Sequence, residues 1–106
     1  TWCGPCRLQF PYAEKLKNQF NGEKISFVNL CLGNDFGLWK DLIKSYDFKN
    51  DNYFIAPKNI DSFEEIFSVN KYPTYVLIDE KGKIIDSDAP FPSDESIEMV
   101  LRELLK

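Results

Sequence analysis

Residues Thr1 to Pro11 read TWCGPCRLQFP, and the fold turns on why two cysteines stand three positions apart at the head of a helical pattern. From Arg7 to about Asn21 the apolar residues fall at Leu8, Tyr12, Ala13, Leu16 and Phe20, a helical stripe, and Asn21-Gly22 is a stop signal. The pair Cys3 and Cys6 therefore occupies the first turn of an amphipathic helix. Spacing of i and i+3 brings two thiols close enough for a small ring, and the helix N-terminus sets positive potential and free N–H groups beside the first sulfur. A thiolate is favoured there, which makes Cys3 the attacking sulfur and leaves Cys6, a turn further in, to resolve a mixed disulfide. Gly4 admits the backbone of a partner, and Pro5 is tolerated where no N–H is needed. Pro11 lies inside the helix and is expected to kink it.

Working outward, Ile25 to Leu32 (ISFVNLCL) is apolar and β-branched, which predicts a strand buried on both faces and ending at Gly33-Asn34. Asn29 within it is expected to be a hydrogen-bonded polar residue near the sheet end. Asp35 can cap a second helix with Leu38, Trp39, Leu42, Ile43 and Tyr46 on one face, and Trp39 there reads as core. Asp47 to Asn52 is turn-like, and Tyr53-Phe54-Ile55 reads as a short edge strand. Two overlapping capping boxes, Asp61 with Glu64 and Ser62 with Glu65, open a short third helix. Tyr72 to Asp79 (YPTYVLID) predicts a strand, Glu80-Lys81-Gly82-Lys83 a hairpin turn, and Ile84 to Asp86 the returning strand. Ser93 is expected to cap a last helix, with Asp94 and Glu95 in its first turn and Ile97, Val100, Leu101, Leu104 and Leu105 facing inward. This alternation of helices and strands is that of a layered α/β fold.

The 106 residues suffice for one small domain with a single core. An apolar fraction of 43% and an aromatic fraction of 15% predict a packed, aromatic-rich interior rather than disorder. The net charge is −4, histidine is absent, and lysine and glutamate alternate without basic clusters, which argues against a nucleic-acid or anionic-membrane partner. No run is apolar for long enough to span a bilayer. Three cysteines are too few for a disulfide scaffold.

Taken together, WCGPCR, the proline five residues after Cys6 (Pro11), and the distant YPTYVLIDEKGKII resemble the thioredoxin fold, and more narrowly the TlpA/ResA-like bacterial thiol-disulfide oxidoreductases. The resemblance implies a mixed central sheet flanked by helices, in a single thioredoxin-like domain over residues 1–106 with an insertion at about 47–71. It implies thiol-disulfide exchange on protein substrates through a redox-active Cys3–Cys6 disulfide, with no other cofactor and no metal. It also implies that the Tyr72–Pro73 bond is cis, that Pro73 faces the two cysteines, and that the backbone of Tyr72 pairs with an extended substrate. The substrate-contacting set is then Trp2, Gly4, Pro5, Tyr72, Pro73 and Thr74. The Gly-Pro pair between the cysteines resembles that of reducing members. Partners would be protein thiols and disulfides and an upstream electron donor, in the periplasm or cell envelope. In this fold a strand carrying a buried acid precedes the two cysteines. Since Thr1 stands first here, the expectation is an N-terminally truncated chain, with that strand and any membrane anchor outside it.

Two other readings keep the same residues. A thioredoxin-like scaffold can hold partners without turnover, and Cys3, Cys6 and Cys31 can be read as part of a zinc site, although no histidine or second CxxC completes it. Cys31, mid-strand, reads as a small hydrophobe. Arg7 either adds positive potential at Cys3 or faces solvent.

Overall fold

The computed structural model describes residues 4–33, 35–45 and 51–106. In chain order these form α1 (Gly4–Gln19), β1 (Asn29–Leu32), α2 (Phe36–Ser45), β2 (Asn52–Ile55), α3 (Pro57–Ile66), β3 (Leu77–Ile78), β4 (Ile84–Asp86) and α4 (Ser96–Leu104). They divide into two compact units, one of residues 1–25 and 67–106 and one of residues 26–66. Trp2, Cys3, Asn34, Tyr46 and the predicted turn at residues 47–50 lie outside the described residues.

The first unit holds α1, α4 and the β3–β4 pair. Its core is Leu16, Phe20, Ala89, Ile97 and Leu101. The inward face of α1 keeps Ala13, Leu16 and Phe20 of the predicted stripe but not Leu8 and Tyr12. Leu8 is 70% exposed and Tyr12 is exposed as well, whereas Gln9 and Leu16 are buried and Ala13 is half-buried. The inward row is thus Gln9, Ala13, Leu16 and Phe20, with Gln9 in the place that the predicted stripe gave to Leu8. A polar side chain can occupy such a row only when its amide is satisfied, and Gln9 is: its Nε2 donates to Ser93 Oγ at 2.9 Å while Ser93 N–H donates to its Oε1 at 3.0 Å. Pro11 lies within the helix. After it Gly22 takes the left-handed backbone, φ 88°, that the stop signal called for.

That same amide takes Ser93 away from its predicted role. The cap position of α4 is Glu95, without a side-chain cap. The carboxylate of Asp94 instead accepts the Ser96 N–H at 2.9 Å and the Ser96 hydroxyl at 2.8 Å. These two bonds, the backbone one foremost, hold the Asp94 carboxyl below the usual carboxylate range. β3 and β4 pair antiparallel, with Leu77 opposite Asp86 and Ile78 opposite Ile84. The turn between them is tied by Asp79, whose Oδ1 accepts the N–H groups of Lys81 and Lys83, both at 2.9 Å. Gly82 supplies the positive φ of 83°. The strand predicted from Tyr72 shortens to two residues because β4 offers only three. Upstream, the Tyr75 carbonyl already accepts the Ala89 N–H at 2.9 Å.

The second unit is a parallel β1–β2 pair with α2 as the crossover and α3 after β2. Asn29 pairs with Asn52 in register, and the Asn29 Nδ2 donates to Asn52 Oδ1 at 3.1 Å, so Asn29 is hydrogen-bonded as predicted. The expected eight-residue strand is shorter and less buried: only Asn29–Leu32 is paired, Val28 and Leu30 are exposed, and Cys31 and Leu32 are half-buried. β2 offers four residues along one edge, and a ladder extends no further than its partner. Asp35 caps α2 as predicted, its Oδ1 accepting the Leu38 N–H at 2.9 Å while its carbonyl accepts Trp39 N–H at 3.1 Å. Phe36, Trp39 and Phe54 form a ring cluster with centroids 5.3 to 5.4 Å apart. α3 begins at Pro57, ahead of the predicted capping boxes. Proline's fixed φ suits a first helical position, and the Asn59 N–H donates back to Ala56 O at 2.9 Å.

Candidate active site

Cys6 lies in the first turn of α1 and is half-buried, and its sulfur is in a disulfide, while Cys31 carries a free thiol. Gly4 and Pro5, which precede it, are exposed. A side-chain carbon placed on Gly4 would meet no atom of another described part of the chain within 4 Å. No acidic side chain stands in the first turn to offset the positive end of the helix, and Arg7 is exposed there. Cys3 and Trp2, the other predicted members of this end of the site, lie outside the described residues.

The second part of the predicted site belongs to the same compact unit. The Tyr72–Pro73 peptide bond is cis, Tyr72 is exposed, and Pro73 and Thr74 are half-buried. The Thr74 hydroxyl donates to the Lys71 carbonyl. Lys71 also forms one wall of a shallow cleft of about 390 Å³ that it shares with the segment from Asp88 to Asp94. Its ammonium pairs with Asp88 Oδ1 at 3.1 Å and stands 6.0 Å from the centroid of Phe91. Phe91 in turn packs edge-on against Tyr75, centroids 5.5 Å apart. Burial pushes the Tyr75 phenol up to about 12.

Sequence reasoning missed Gln9 and Ser93. Gln9 follows Cys6 by three residues on α1, and Ser93 lies in the cleft wall. Glutamine is an ordinary helix former and the neighbouring Leu8 is the apolar choice, so no local signal marks position 9 as buried. Cys31 is half-buried in β1, and burial pushes its thiol pKa up. Among the described residues no cluster of acidic, cysteine or histidine side chains could hold a metal ion. Among them, too, no helix is long and apolar enough to cross a membrane.

Residues 1–101 match the Redoxin family. The chain is 28% identical over 107 aligned positions to the thiol-disulfide oxidoreductase ResA of a Bacillus cereus strain, covering 98% of this chain and 58% of that protein. It is 33% identical over 89 positions to the thioredoxin-like protein YneN of Bacillus subtilis (strain 168), covering 81% of this chain and 49% of the relative. The chain thus spans about half the length of these curated relatives. A solution structure from Bacteroides vulgatus, assigned as a thiol-disulfide oxidoreductase, superposes with a TM-score of 0.87 at 30% identity, over 99% of this chain and 68% of that one. A crystal structure with the same assignment and source gives 0.79 at 28% identity, over 99% and 72%.

Proposed function

The chain belongs to the redoxin family, with the thioredoxin-like fold of its TlpA/ResA-like members, and on that premise we propose that it exchanges thiols and disulfides with protein substrates, acting as a reductase. The observation that carries this reading is the disulfide-bonded state of Cys6 in the first turn of α1. In the forward direction the Cys3 thiolate attacks one sulfur of a substrate disulfide, forming a mixed disulfide and releasing the other substrate sulfur as a thiolate. Cys6, as its thiolate, then attacks the Cys3 sulfur. This releases the second substrate thiol and leaves the Cys3–Cys6 disulfide. Two electrons pass from the dithiol to the substrate, and the two thiol protons end on the substrate sulfurs. A second dithiol, from an upstream electron donor, restores the reduced pair.

The positive end of α1 stabilises the attacking thiolate and also the Cys6 thiolate as leaving group when the pair is reduced again. Trp2, Gly4, Pro5, Tyr72, Pro73 and Thr74 form the surface against which the substrate chain rests. The exposure of Gly4 and Tyr72 supports that assignment. A periplasmic or cell-envelope location, as the resemblance implies, suits a protein that meets disulfides in its partners.

The test is insulin reduction in the presence of dithiothreitol, run on the intact protein and on its Cys3→Ser variant. Turnover by the first and none by the second is the expected result. An intact, folded protein that leaves insulin disulfides untouched would overturn the reductase reading.

A further inference from the structure

The amide of Gln9 is the feature that the exchange chemistry leaves unexplained. It is only 8% exposed, the buried polar residue of the described core, and it stands one turn beyond Cys6 on the same face of α1. Both ends of its amide are used on one residue, Ser93, which lies 84 positions away in the cleft wall. Because Oε1 accepts a backbone N–H and Nε2 donates to a hydroxyl, the pair fixes main chain and side chain of Ser93 together. The connected segment carries Phe91, held against Tyr75, and Asp88, held by Lys71, the residue two before Pro73. We infer that Gln9 is a positioning residue. By clamping Ser93 it sets where the Asp88–Asp94 wall stands relative to the helix that bears Cys6, and so governs how well a protein substrate is seated for exchange. It touches neither sulfur nor substrate.

This inference rests on the exchange reading and deepens it. A small disulfide needs only the sulfurs, whereas a protein disulfide needs the wall as well, so the two substrates separate the clamp from the chemistry. In the intact protein, Gln9→Met keeps the length and burial of the side chain but removes both hydrogen bonds. The expected result is a KM for insulin raised about fivefold to tenfold, the scale of one to two lost neutral hydrogen bonds. The kcat for insulin and the rate with oxidised glutathione should stay within about twofold of the parent. Ser93→Ala, which keeps the backbone bond to Oε1, moves KM in the same direction by less, and it carries the test should Gln9→Met not fold. Gln9→Glu rescues KM, since a carboxyl can accept the N–H and also bond the Ser93 hydroxyl. An unchanged KM in both single variants overturns the inference, as does an equal loss with insulin and with glutathione. A parent protein inert toward both substrates instead overturns the exchange reading beneath it.

Discussion

The guanidinium of Arg102 on α4 lies over the ring of Phe20, just past the end of α1, 4.9 Å from its centroid. Phe20 is 2% exposed, and its N–H is held by the carbonyls of Leu16 and Lys17 at 3.2 Å, so the ring is fixed beneath the guanidinium. Replacing Phe20 by alanine is expected to destabilise the fold by about 3 to 5 kcal/mol, through lost burial and the cavity left behind. Arg102→Met removes the cation over the ring together with its exposed pair to Glu98 Oε1 at 3.2 Å, and should cost only about 1 kcal/mol in all. Urea denaturation of both variants checks the order. Equal losses would show that the charge, not the covered ring, holds this end of the unit.

Asp35 caps α2 through the Leu38 N–H. Asp35→Ala leaves that donor without its side-chain acceptor and is expected to lower stability by about 1 kcal/mol. Asp35→Asn retains the acceptor oxygen and should lose much less. The urea midpoint reads the difference, and no loss in the alanine variant would mean that water replaces the cap at no cost.

How much of the molecule is legible in its sequence depends on what each residue type signals locally. The helix starting at the CxxC pair, the Asp35 cap, the strand at Tyr53-Phe54-Ile55 and the Gly22 and Gly82 turns are all readable, because each follows from a periodicity or a backbone preference within a few residues. The burial of Gln9 in place of Leu8 and Tyr12 is not. Leu8 and Gln9 are adjacent, hydrophobicity favours Leu8, and the partner that satisfies Gln9 lies at the far end of the sequence. Ser93 is misplaced for the complementary reason: a serine ahead of acidic residues looks like a cap, and nothing nearby shows that its N–H and hydroxyl are already engaged. Strand lengths are overestimated at Ile25 and Tyr72, since a ladder ends where its partner ends and apolar composition does not report the partner. Of the site, the residues of the redox pair and Pro73 come from motif and resemblance, whereas the cleft wall comes only from the folded chain.

Tyr75 carries a phenol pushed from an ordinary 10.0 up to about 12 by burial, and the Cys31 thiol is pushed up from 9.0 by the same cause. Both groups are neutral when protonated, so the folded state keeps protons that the unfolded chain releases. The stability they contribute is complete below the ordinary values and is lost as pH rises through them toward the folded ones. Urea midpoints measured from about pH 8 to about pH 11 should therefore fall, and fall less steeply in Tyr75→Phe. Ultraviolet titration should show a late-ionising tyrosine that is missing from Tyr75→Phe. A midpoint rising over this range would contradict the assignment.

The division of labour between Cys3 and Cys6 gives the last prediction. If Cys6 is the resolving sulfur, its removal leaves the first attack possible but strips the mixed disulfide of its escape route, because no second thiolate stands within a turn of the first. Cys31 is a poor substitute: burial raises its thiol pKa and lowers the thiolate fraction on which attack depends. Cys6→Ser is therefore expected to accumulate covalent adducts with disulfide-bearing proteins that dissolve on adding dithiothreitol, while Cys3→Ser forms none and Cys31→Ser turns over like the parent. Non-reducing electrophoresis with mass spectrometry of the linked peptides reads all three. Adducts joined through Cys6 in the Cys3→Ser protein would exchange the two roles, and adducts joined through Cys31 would make that thiol part of the chemistry rather than of the β1 interior.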